Sequence, residues 1–200
     1  MKPVNASPMI AGAPRAVSSD EERLILVDEH DRPIGEASKL ECHLGEGLLH
    51  RAFSLLLFDR QGRLLMQQRA AGKLLWPSYW SNSCCSHPRQ GETLAQAVRR
   101  RAGEELGVSV NPRFEFRFHY EARYGSVGVE REMCSVFTAV SDALLRPNPL
   151  EVDDVRWLNA DTVDQLVAED REVTPWFVHE WTRLRSQSEW PQSLLGVAAA

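Results

Sequence analysis

The sequence predicts an α+β fold in which a mixed or antiparallel sheet forms the core and helices flank it. Segments typical of strands dominate the middle of the chain, and helical patterns lie among and after them without a regular strand–helix alternation. The 200 residues are 43% hydrophobic and 26% charged, which is ordinary globular composition. We therefore expect one domain with a sizeable core.

The domain is expected to span residues 21–190. Residues 1–20 are predicted to form a flexible tail, because this stretch contains three prolines and no sustained apolar core. Residues 191–200 are expected to fray. The start of the chain does not resemble a secretory signal, and no apolar run approaches the roughly 20 residues that span a bilayer. With four cysteines and no such signal, reduced thiols in the cytoplasm are predicted.

The charge distribution bears on partners. The net charge is −5, and the basic residues are scattered, which is unlike the footprint of a nucleic-acid-binding protein. An anionic ligand must therefore be held by a few local lysines and arginines. We expect a monomer that binds neither nucleic acid nor membranes.

The first half of the chain supplies strands and one helix. Residues 24–37 predict a strand, a turn and a short return strand. Residues 52–70 consist of two apolar runs around a four-residue turn that contains glycine, which predicts a hairpin. Residues 92–106 show apolar positions at helical spacing and precede Gly107, so they predict an amphipathic helix with a glycine stop.

The second half continues the sheet and ends in helices. Residues 113–125 alternate as a strand does, and residues 127–140 follow as the expected partner strand. Residues 154–159 predict a further strand. Residues 160–170 and 174–187 predict two helices, the last of them opened by a proline.

A candidate metal site comes from two carboxylates and three imidazoles. Glu130 and Glu132 are two residues apart in a predicted strand, so both side chains project from one face and repel each other. A shared metal or proton relieves the repulsion, whereas on an exposed edge solvent alone suffices. With His43, His50 and His87 they could form an N3O2 site suited to Mn, Fe or Zn. A lone histidine is more often a hydrogen-bonded or surface residue than a ligand.

The predicted helix and its end carry acidic and basic residues at fixed spacing before a glycine: Glu92, Arg100, Glu104, Glu105, Gly107 and Val108. These positions resemble most of a Nudix box. Ser86 stands where the first glycine belongs, and Arg101 replaces the acidic residue after Arg100. This replacement should weaken hydrolysis, while Glu105 and a metal could still bind a diphosphate. Alternatively, Arg101 and Glu105 form an ordinary surface pair at i, i+4.

The segment SNSCCSHP, residues 81–88, holds two adjacent cysteines before a histidine. A thioredoxin-like pair is disfavoured because the C-x-x-C spacing is missing, and a zinc ribbon would need a second thiol pair. Cys84 is predicted to be a small buried apolar residue. Trp76, Trp80, Trp157 and Trp176 are assigned to the core, since large aromatic side chains usually lie there.

Taken together, these segments resemble type I isopentenyl-diphosphate isomerases, a Nudix-fold family, over roughly residues 22–185. The resemblance rests on the order and spacing of LHRAFS, QRA, WPSYWSNSCCSHP, EELGV, EREMC and TPW. It implies a Nudix fold and conversion of isopentenyl diphosphate to dimethylallyl diphosphate. Two other readings compete: a Nudix pyrophosphohydrolase acting on a nucleoside diphosphate derivative, and a non-catalytic module stabilised by zinc.

The resemblance also implies roles for residues. Cys85 and Glu132 would be catalytic, with Tyr120 assisting Glu132. The implied ligands of one Mn²⁺, Zn²⁺ or Mg²⁺ are His43, His50, His87, Glu130 and Glu132. Glu105 would bind Mg²⁺ together with the substrate diphosphate, and Trp181 would cover the hydrocarbon. The implied diphosphate contacts are Lys39, Arg69, Lys73 and Arg101.

Overall fold

The structure is a computed structural model that describes residues 15–169 and 172–187. Within them it has nine strands and four helices, which confirms the α+β class. The strands are β1 (Arg23–Val27), β2 (Pro33–Ser38), β3 (His50–Phe58), β4 (Leu64–Arg69), β5 (Trp80–Ser81), β6 (Cys84–Ser86), β7 (Arg113–Tyr124), β8 (Gly128–Val140) and β9 (Val152–Leu158). The helices are α1 (Lys39–His43), α2 (Leu94–Leu106), α3 (Ala160–Glu169) and α4 (Pro175–Arg185).

Strand β3 lies at the centre of one mixed sheet. It pairs in parallel with β8, from His50 opposite Glu132 to Phe58 opposite Val140, and antiparallel with β6. The predicted partner strands β7 and β8 form a long antiparallel hairpin. The predicted hairpin of residues 52–70 is only partly formed: Phe58 opposite Leu64 is its one strand pair, because β4 turns away to pair with β5 and β9.

Both faces of β3 are buried, as its nearly continuous apolar sequence requires. Phe53, Leu55 and Leu57 point to the side covered by α2. Leu56 and Phe58 point to the opposite side, where α3 and α4 pack. The period of two along the strand thus divides the interior into two apolar layers with the sheet between them.

Helix α2 is fixed at both ends, and its observed bounds confirm the prediction for residues 92–106. Thr93 is the N-cap, and its side chain accepts a hydrogen bond from the Gln96 backbone within a capping box. Gly107 is the C-cap with φ 71°, and a Cβ built there would lie 2.8 Å from Cβ of Arg146. The end of α2 therefore packs tightly against the segment that leads into β9.

Three short elements were not predicted. Helix α1 follows the N-cap Ser38, which forms a capping box with Glu41. Strands β5 and β6 are two and three residues long, too short to show a period. No helix in the described residues has the length and apolarity needed to cross a membrane. The predicted frayed end, residues 191–200, lies outside the described residues, as do residues 1–14 of the predicted tail.

Candidate active site

One pocket gathers most of the residues selected from the sequence. Its wall includes Lys39, His43, Arg69, Lys73, Cys85, His87, Arg101, Tyr120, Glu130 and Glu132. The sheet explains the convergence: β3 places His50 beside Glu132 of β8, and the pairing of β6 with β3 ends at Ser86, one residue before His87. Helix α1 adds Lys39 and His43 from its two ends. His50, Glu105 and Trp181 are not on the pocket wall.

Three imidazoles and Glu132 form a buried cluster at one end of the pocket. One ligand atom from each of His43, His50, His87 and Glu132 lies within 4.8 Å of the others. Nε2 of His87 lies 3.2 Å from Nε2 of His50 and 3.1 Å from Oε1 of Glu132. Glu130 joins the cluster through Oε2, which is 2.8 Å from Nε2 of His43.

The hydrogen bonds of the rings show that this cluster suits a cation. Nδ1 of His43 donates to the Lys39 carbonyl at 2.6 Å, and Nδ1 of His50 donates to the Leu48 carbonyl at 2.7 Å. In the neutral rings Nε2 therefore carries a lone pair that points into the cluster. Oε2 of Glu130 is buried, and its neighbour among the described residues, Nε2 of His43, has no proton to donate in this tautomer. Converging nitrogen and oxygen lone pairs in a buried site fit a divalent metal ion.

The electrostatics of the cluster agree with this description. Burial lowers the pKa of His87 to about 3, so this ring is neutral. Burial alone would raise the pKa of Glu132, but the neighbouring His50 and His87 hold it well below the usual value. Glu132 is therefore ionised. Burial opposes protonation of His43, yet the neighbouring Glu130 raises its pKa overall.

A thiol lies on the wall of the same pocket. Burial raises the pKa of Cys85 to about 12, although Arg69, with Nη1 at 3.7 Å from Sγ, works in the opposite direction. Cys85 is therefore a protonated thiol near neutral pH. Tyr120 donates a hydrogen bond of 2.6 Å to Oε2 of Glu132, and burial raises the pKa of Tyr120 well above its usual value. The pocket thus combines a protonated sulfur with an ionised, oriented carboxylate.

Basic side chains line the other part of the pocket. Arg101 is 1% exposed and contacts Glu105, so the alternative of an exposed surface pair is wrong: the i, i+4 pair exists, but it is buried. Lys73 contacts the buried Glu151, and Nε and Nη2 of Arg69 donate to backbone carbonyls. These cations converge from β4, α1, α2 and the loop after β4, as binding of an anion requires.

The segment before β1 contacts two of these cations. Lys39 donates a 2.6 Å hydrogen bond to the Ser18 hydroxyl, and Arg101 donates one of 2.8 Å to the Val17 carbonyl. Ala16, Ser18, Ser19 and Asp20 contribute to the pocket wall. The last residues of the predicted tail, in the described part of the chain, therefore lie beside the candidate anion site.

The tryptophan on the pocket wall is Trp176, and Trp181 is not on this wall. Trp181 lies five residues after Trp176 on α4, so the two side chains point in very different directions. The indole of Trp181 donates a 2.7 Å hydrogen bond to Asp164. The Trp176 indole donates to Asn82 at 3.2 Å, and its ring centroid is 6.0 Å from that of Tyr120. Trp176 was predicted to lie in the core, which its burial confirms, whereas its place on the pocket wall was not predicted.

Glu151 is a second residue that the sequence analysis missed. It stands in a loop after RPNPL, where no periodicity or motif distinguishes it from a surface carboxylate. In the structure it is 3% exposed and lines the pocket beside Lys73. Only the folded loop could identify it.

Comparisons with known proteins agree with the fold and show the family. Residues 48–177 match the family model for the NUDIX domain. The chain is 44% identical over 163 residues to isopentenyl-diphosphate Delta-isomerase 1 of Photorhabdus laumondii, covering 80% of this chain and 93% of that relative. It is 45% identical over 158 residues to the isopentenyl-diphosphate Delta-isomerase of Burkholderia multivorans, covering 78% and 89%. The corresponding protein of Agromyces mediolanus is 39% identical over 191 residues, covering 94% and 90%.

Solved structures show the same architecture. DR0079 from Deinococcus radiodurans superposes with a TM-score of 0.67 at 25% identity, covering 81% of this chain and 98% of that chain. The MutT protein of Methanosarcina mazei superposes with a TM-score of 0.56 at 14% identity, covering 70% and 96%, which is a likeness of fold alone. The domain match and the extent of identity to the relatives place the chain: it belongs to the isopentenyl-diphosphate Delta-isomerase family and carries a Nudix domain.

Proposed function

We propose that this chain isomerises isopentenyl diphosphate to dimethylallyl diphosphate. The observation that carries the proposal is the composition of one pocket. A protonated thiol, Cys85, and an ionised carboxylate, Glu132, line it together with the cations Lys39, Lys73 and Arg101. A proton donor, a proton acceptor and an anion site are the parts that this reaction needs.

The reaction itself dictates these parts. Moving the double bond adds a proton at one carbon and removes a proton from another, and no carbonyl is present to absorb charge. Protonation first creates a tertiary carbocation, which water would quench and an aromatic face stabilises by about 2 kcal/mol or more when desolvated. A dry pocket with an aromatic wall is therefore required. The ring of Trp176 would supply the aromatic wall.

We assign the donor role to Cys85 and the acceptor role to Glu132. The raised pKa of Cys85 keeps the thiol protonated, and the lowered pKa of Glu132 keeps its carboxylate available. Tyr120 holds one oxygen of Glu132 through its 2.6 Å hydrogen bond and so orients the carboxylate toward the substrate. No covalent bond between sulfur and carbon is needed.

Two metal sites belong to the proposal. His43, His50, His87, Glu130 and Glu132 would hold one Mn²⁺, Zn²⁺ or Mg²⁺, and Glu105 would hold Mg²⁺ with the diphosphate. Such ions neutralise neighbouring carboxylates and phosphate oxygens. Arg69 together with Lys39, Lys73 and Arg101 would fix the diphosphate. Trp181, which the sequence analysis placed over the hydrocarbon, would act only by packing behind this wall.

The rival hydrolase is less well supported. Its box needs an acidic residue where Arg101 stands, and this arginine contacts the remaining Glu105. The cytoplasmic location, the monomeric state and the absence of nucleic-acid or membrane partners stay predictions from the sequence.

The test is direct. The protein is incubated with isopentenyl diphosphate and Mg²⁺, and the allylic isomer is measured by NMR. We expect turnover in the native chain and a loss of at least about a thousandfold in Cys85→Ala, because the proton donor is gone. The matched control is Cys84→Ala: Cys84 is fully buried in the apolar layer beneath α2, so we expect most of the turnover to persist.

Three results would contradict the proposal. They are no allylic isomer from the native chain, substantial turnover by the Cys85 variant, and release of phosphate products from nucleoside diphosphate derivatives instead. Thermal melting with unchanged metal content shows that the variants are folded. A Cys85→Ala protein that is folded and metal-loaded but has lost its turnover excludes the non-catalytic zinc module, which would convert no substrate even with the thiol present.

A further inference from the structure

Glu151 is a carboxylate inside the candidate diphosphate site, and none of the roles assigned above uses it. Its side chain is 2% exposed, contacts Nζ of Lys73, and lies 3.7 Å from Nη2 of Arg101. The same Nη2 atom contacts Glu105. Glu151 therefore lies among the cations that are proposed to bind the diphosphate.

The backbone keeps this carboxylate in place. The Glu151 carbonyl accepts a hydrogen bond of 3.0 Å from the Ala70 backbone, just before Lys73. On the other side, the Asn148 backbone donates a 2.8 Å hydrogen bond to the Glu105 carbonyl, and the Glu151 backbone donates one of 2.9 Å to the Asn148 carbonyl. The loop is thus tied both to the segment of Lys73 and to the end of α2. The backbone of Glu151 cannot withdraw without breaking these bonds, and the contact with Lys73 holds the carboxylate itself.

The negative charge of Glu151 affects how the pocket binds a diphosphate. Three cations, Lys39, Lys73 and Arg101, surround Glu151. Arg101 also contacts Glu104 and Glu105 from its own helix. Burial opposes ionisation of Glu151, but Lys73 outweighs burial and lowers its pKa, so the carboxylate is charged. A diphosphate that enters without a metal meets this fixed negative charge and competes with it for Lys73 and Arg101. A bound Mg²⁺ removes the repulsion by neutralising part of the phosphate charge.

We propose that Glu151 is a positioning residue that orients Lys73 and Arg101 and makes diphosphate binding depend on Mg²⁺. As an internal anion it occupies the two cations in the free protein and penalises a diphosphate that arrives without its metal. This inference rests on the proposed function only in taking this pocket as the diphosphate site. Glu151 would thus favour binding of the magnesium complex of the substrate over binding of the free anion.

The test measures binding of inorganic diphosphate by isothermal titration calorimetry, with the His and Glu cluster loaded with metal, in buffer with and without Mg²⁺. Glu151→Gln removes the charge and nearly preserves the shape. We expect it to bind diphosphate on the order of tenfold more tightly than the native chain when Mg²⁺ is absent. Because coupling is reciprocal, the factor by which Mg²⁺ tightens binding should fall by a similar amount.

Two further variants sharpen the result. Asp153→Asn removes a negative charge from the same region and should behave as the native chain does. Asp153 is exposed and accepts a 2.8 Å hydrogen bond from the Ala71 backbone. Glu151→Asp keeps the charge but moves it away from the cations, because the side chain is one methylene shorter. We therefore expect its diphosphate affinity without Mg²⁺ to lie between those of the native chain and the glutamine variant. This variant also keeps the test decisive if Glu151→Gln does not fold.

The outcomes are distinguishable. The inference is overturned if Glu151→Gln binds diphosphate without Mg²⁺ no more tightly than the native chain does. If Glu151→Gln is unfolded, it is overturned when Glu151→Asp has the same diphosphate affinity as the native chain. In either case diphosphate still binds the native chain with Mg²⁺, so the proposed function stands. Failure of the native chain to bind diphosphate under any condition would overturn both.

Discussion

At the scale of single residues, Glu180 is a buried acid that the proposed chemistry does not use. It is 0% exposed on α4, where Cys134 Sγ lies 3.9 Å from Oε1 and Oε2 lacks a hydrogen-bond partner among the described residues. Burial raises the pKa of Glu180 to about 8, and the nearby charge of Glu132 adds to this effect, while Ser54 and Cys134 oppose it. The neutral carboxyl is therefore the form that the fold accommodates.

This raised pKa predicts how stability changes with pH. The native state binds the Glu180 proton more tightly than the unfolded chain, whose glutamate titrates near its usual pKa of 4.5. The resulting stabilisation is complete below about pH 4.5 and is lost as the pH rises toward about 8, at up to about 1.4 kcal/mol per pH unit. Between about pH 6 and pH 8, we expect the native chain to lose about 2–3 kcal/mol more than Glu180→Gln.

Urea unfolding of both proteins at the two pH values, after removal of metal with a chelator, measures this difference. Histidines and other groups that titrate in the same range occur in both proteins and cancel in the comparison. Equal losses in the two proteins would show that Glu180 does not titrate in this range. Unfolding of Glu180→Gln at low pH would show instead that the carboxyl has a structural role that an amide cannot fill.

At the scale of elements, the two glycines of helix α2 and its cap make a matched pair. At the C-cap Gly107, alanine would meet a left-handed backbone and Cβ of Arg146 at 2.8 Å. At Gly103, within the helix, the nearest atom to a new Cβ is the Val108 carbonyl at 3.9 Å, an ordinary contact. We expect Gly107→Ala to lower the free energy of unfolding by about 1–3 kcal/mol, and Gly103→Ala to raise it by about 0.5–1 kcal/mol.

Denaturant unfolding measures both effects. Because Gly107 locks α2 to the loop that carries Glu151, we also expect Gly107→Ala to bind diphosphate more weakly, whereas Gly103→Ala should not. A Gly107→Ala protein as stable as the native chain would contradict the steric argument. The same substitution in one helix thus has opposite signs, decided by φ and by the space around the Cβ.

The elements also show what the sequence could and could not predict. Helix α2 and the hairpin of β7 and β8 were predicted, because twelve or more residues display a clear period. Strands β5 and β6 could not be predicted, because two or three residues show no period. The separation of β3 from β4 was missed for another reason. It depends on partners from distant parts of the chain, β8 and β9, which a local pattern does not contain.

At the scale of the whole molecule, the mixed sheet assembles the candidate site. Chemistry alone selected His43, His50, His87, Glu130 and Glu132 as a set, but the sequence did not contain the parallel pairing that places His50 opposite Glu132. The sequence therefore predicted which residue types could bind a metal, but it did not predict that these residues lie close together. The same limit explains Trp181: helical spacing was known, but the direction in which α4 faces the pocket depends on its packing against α3 and β7.

A metal ion in this cluster would link four elements, so the final prediction concerns the stability of the fold as a whole. The ligands come from α1, β3, β8 and the segment after β6, and unfolding would disperse them. A metal that binds only the folded chain, at about 100 times its dissociation constant, stabilises the fold by about 2.7 kcal/mol. For a chain of this size we expect the melting temperature to rise by about 5–10 °C when Zn²⁺ or Mn²⁺ is added to chelator-treated protein.

Scanning calorimetry with and without the ion measures the shift, and two histidine variants define its origin. His50→Ala removes a fully buried ligand and should abolish most of the response to metal, even if its own melting temperature is lower. His30→Ala changes an exposed histidine beside Glu29 and should respond as the native chain does. A native chain that melts at the same temperature with and without metal would mean that the buried lone pairs are satisfied by protons, because His43 and Glu130 can share one.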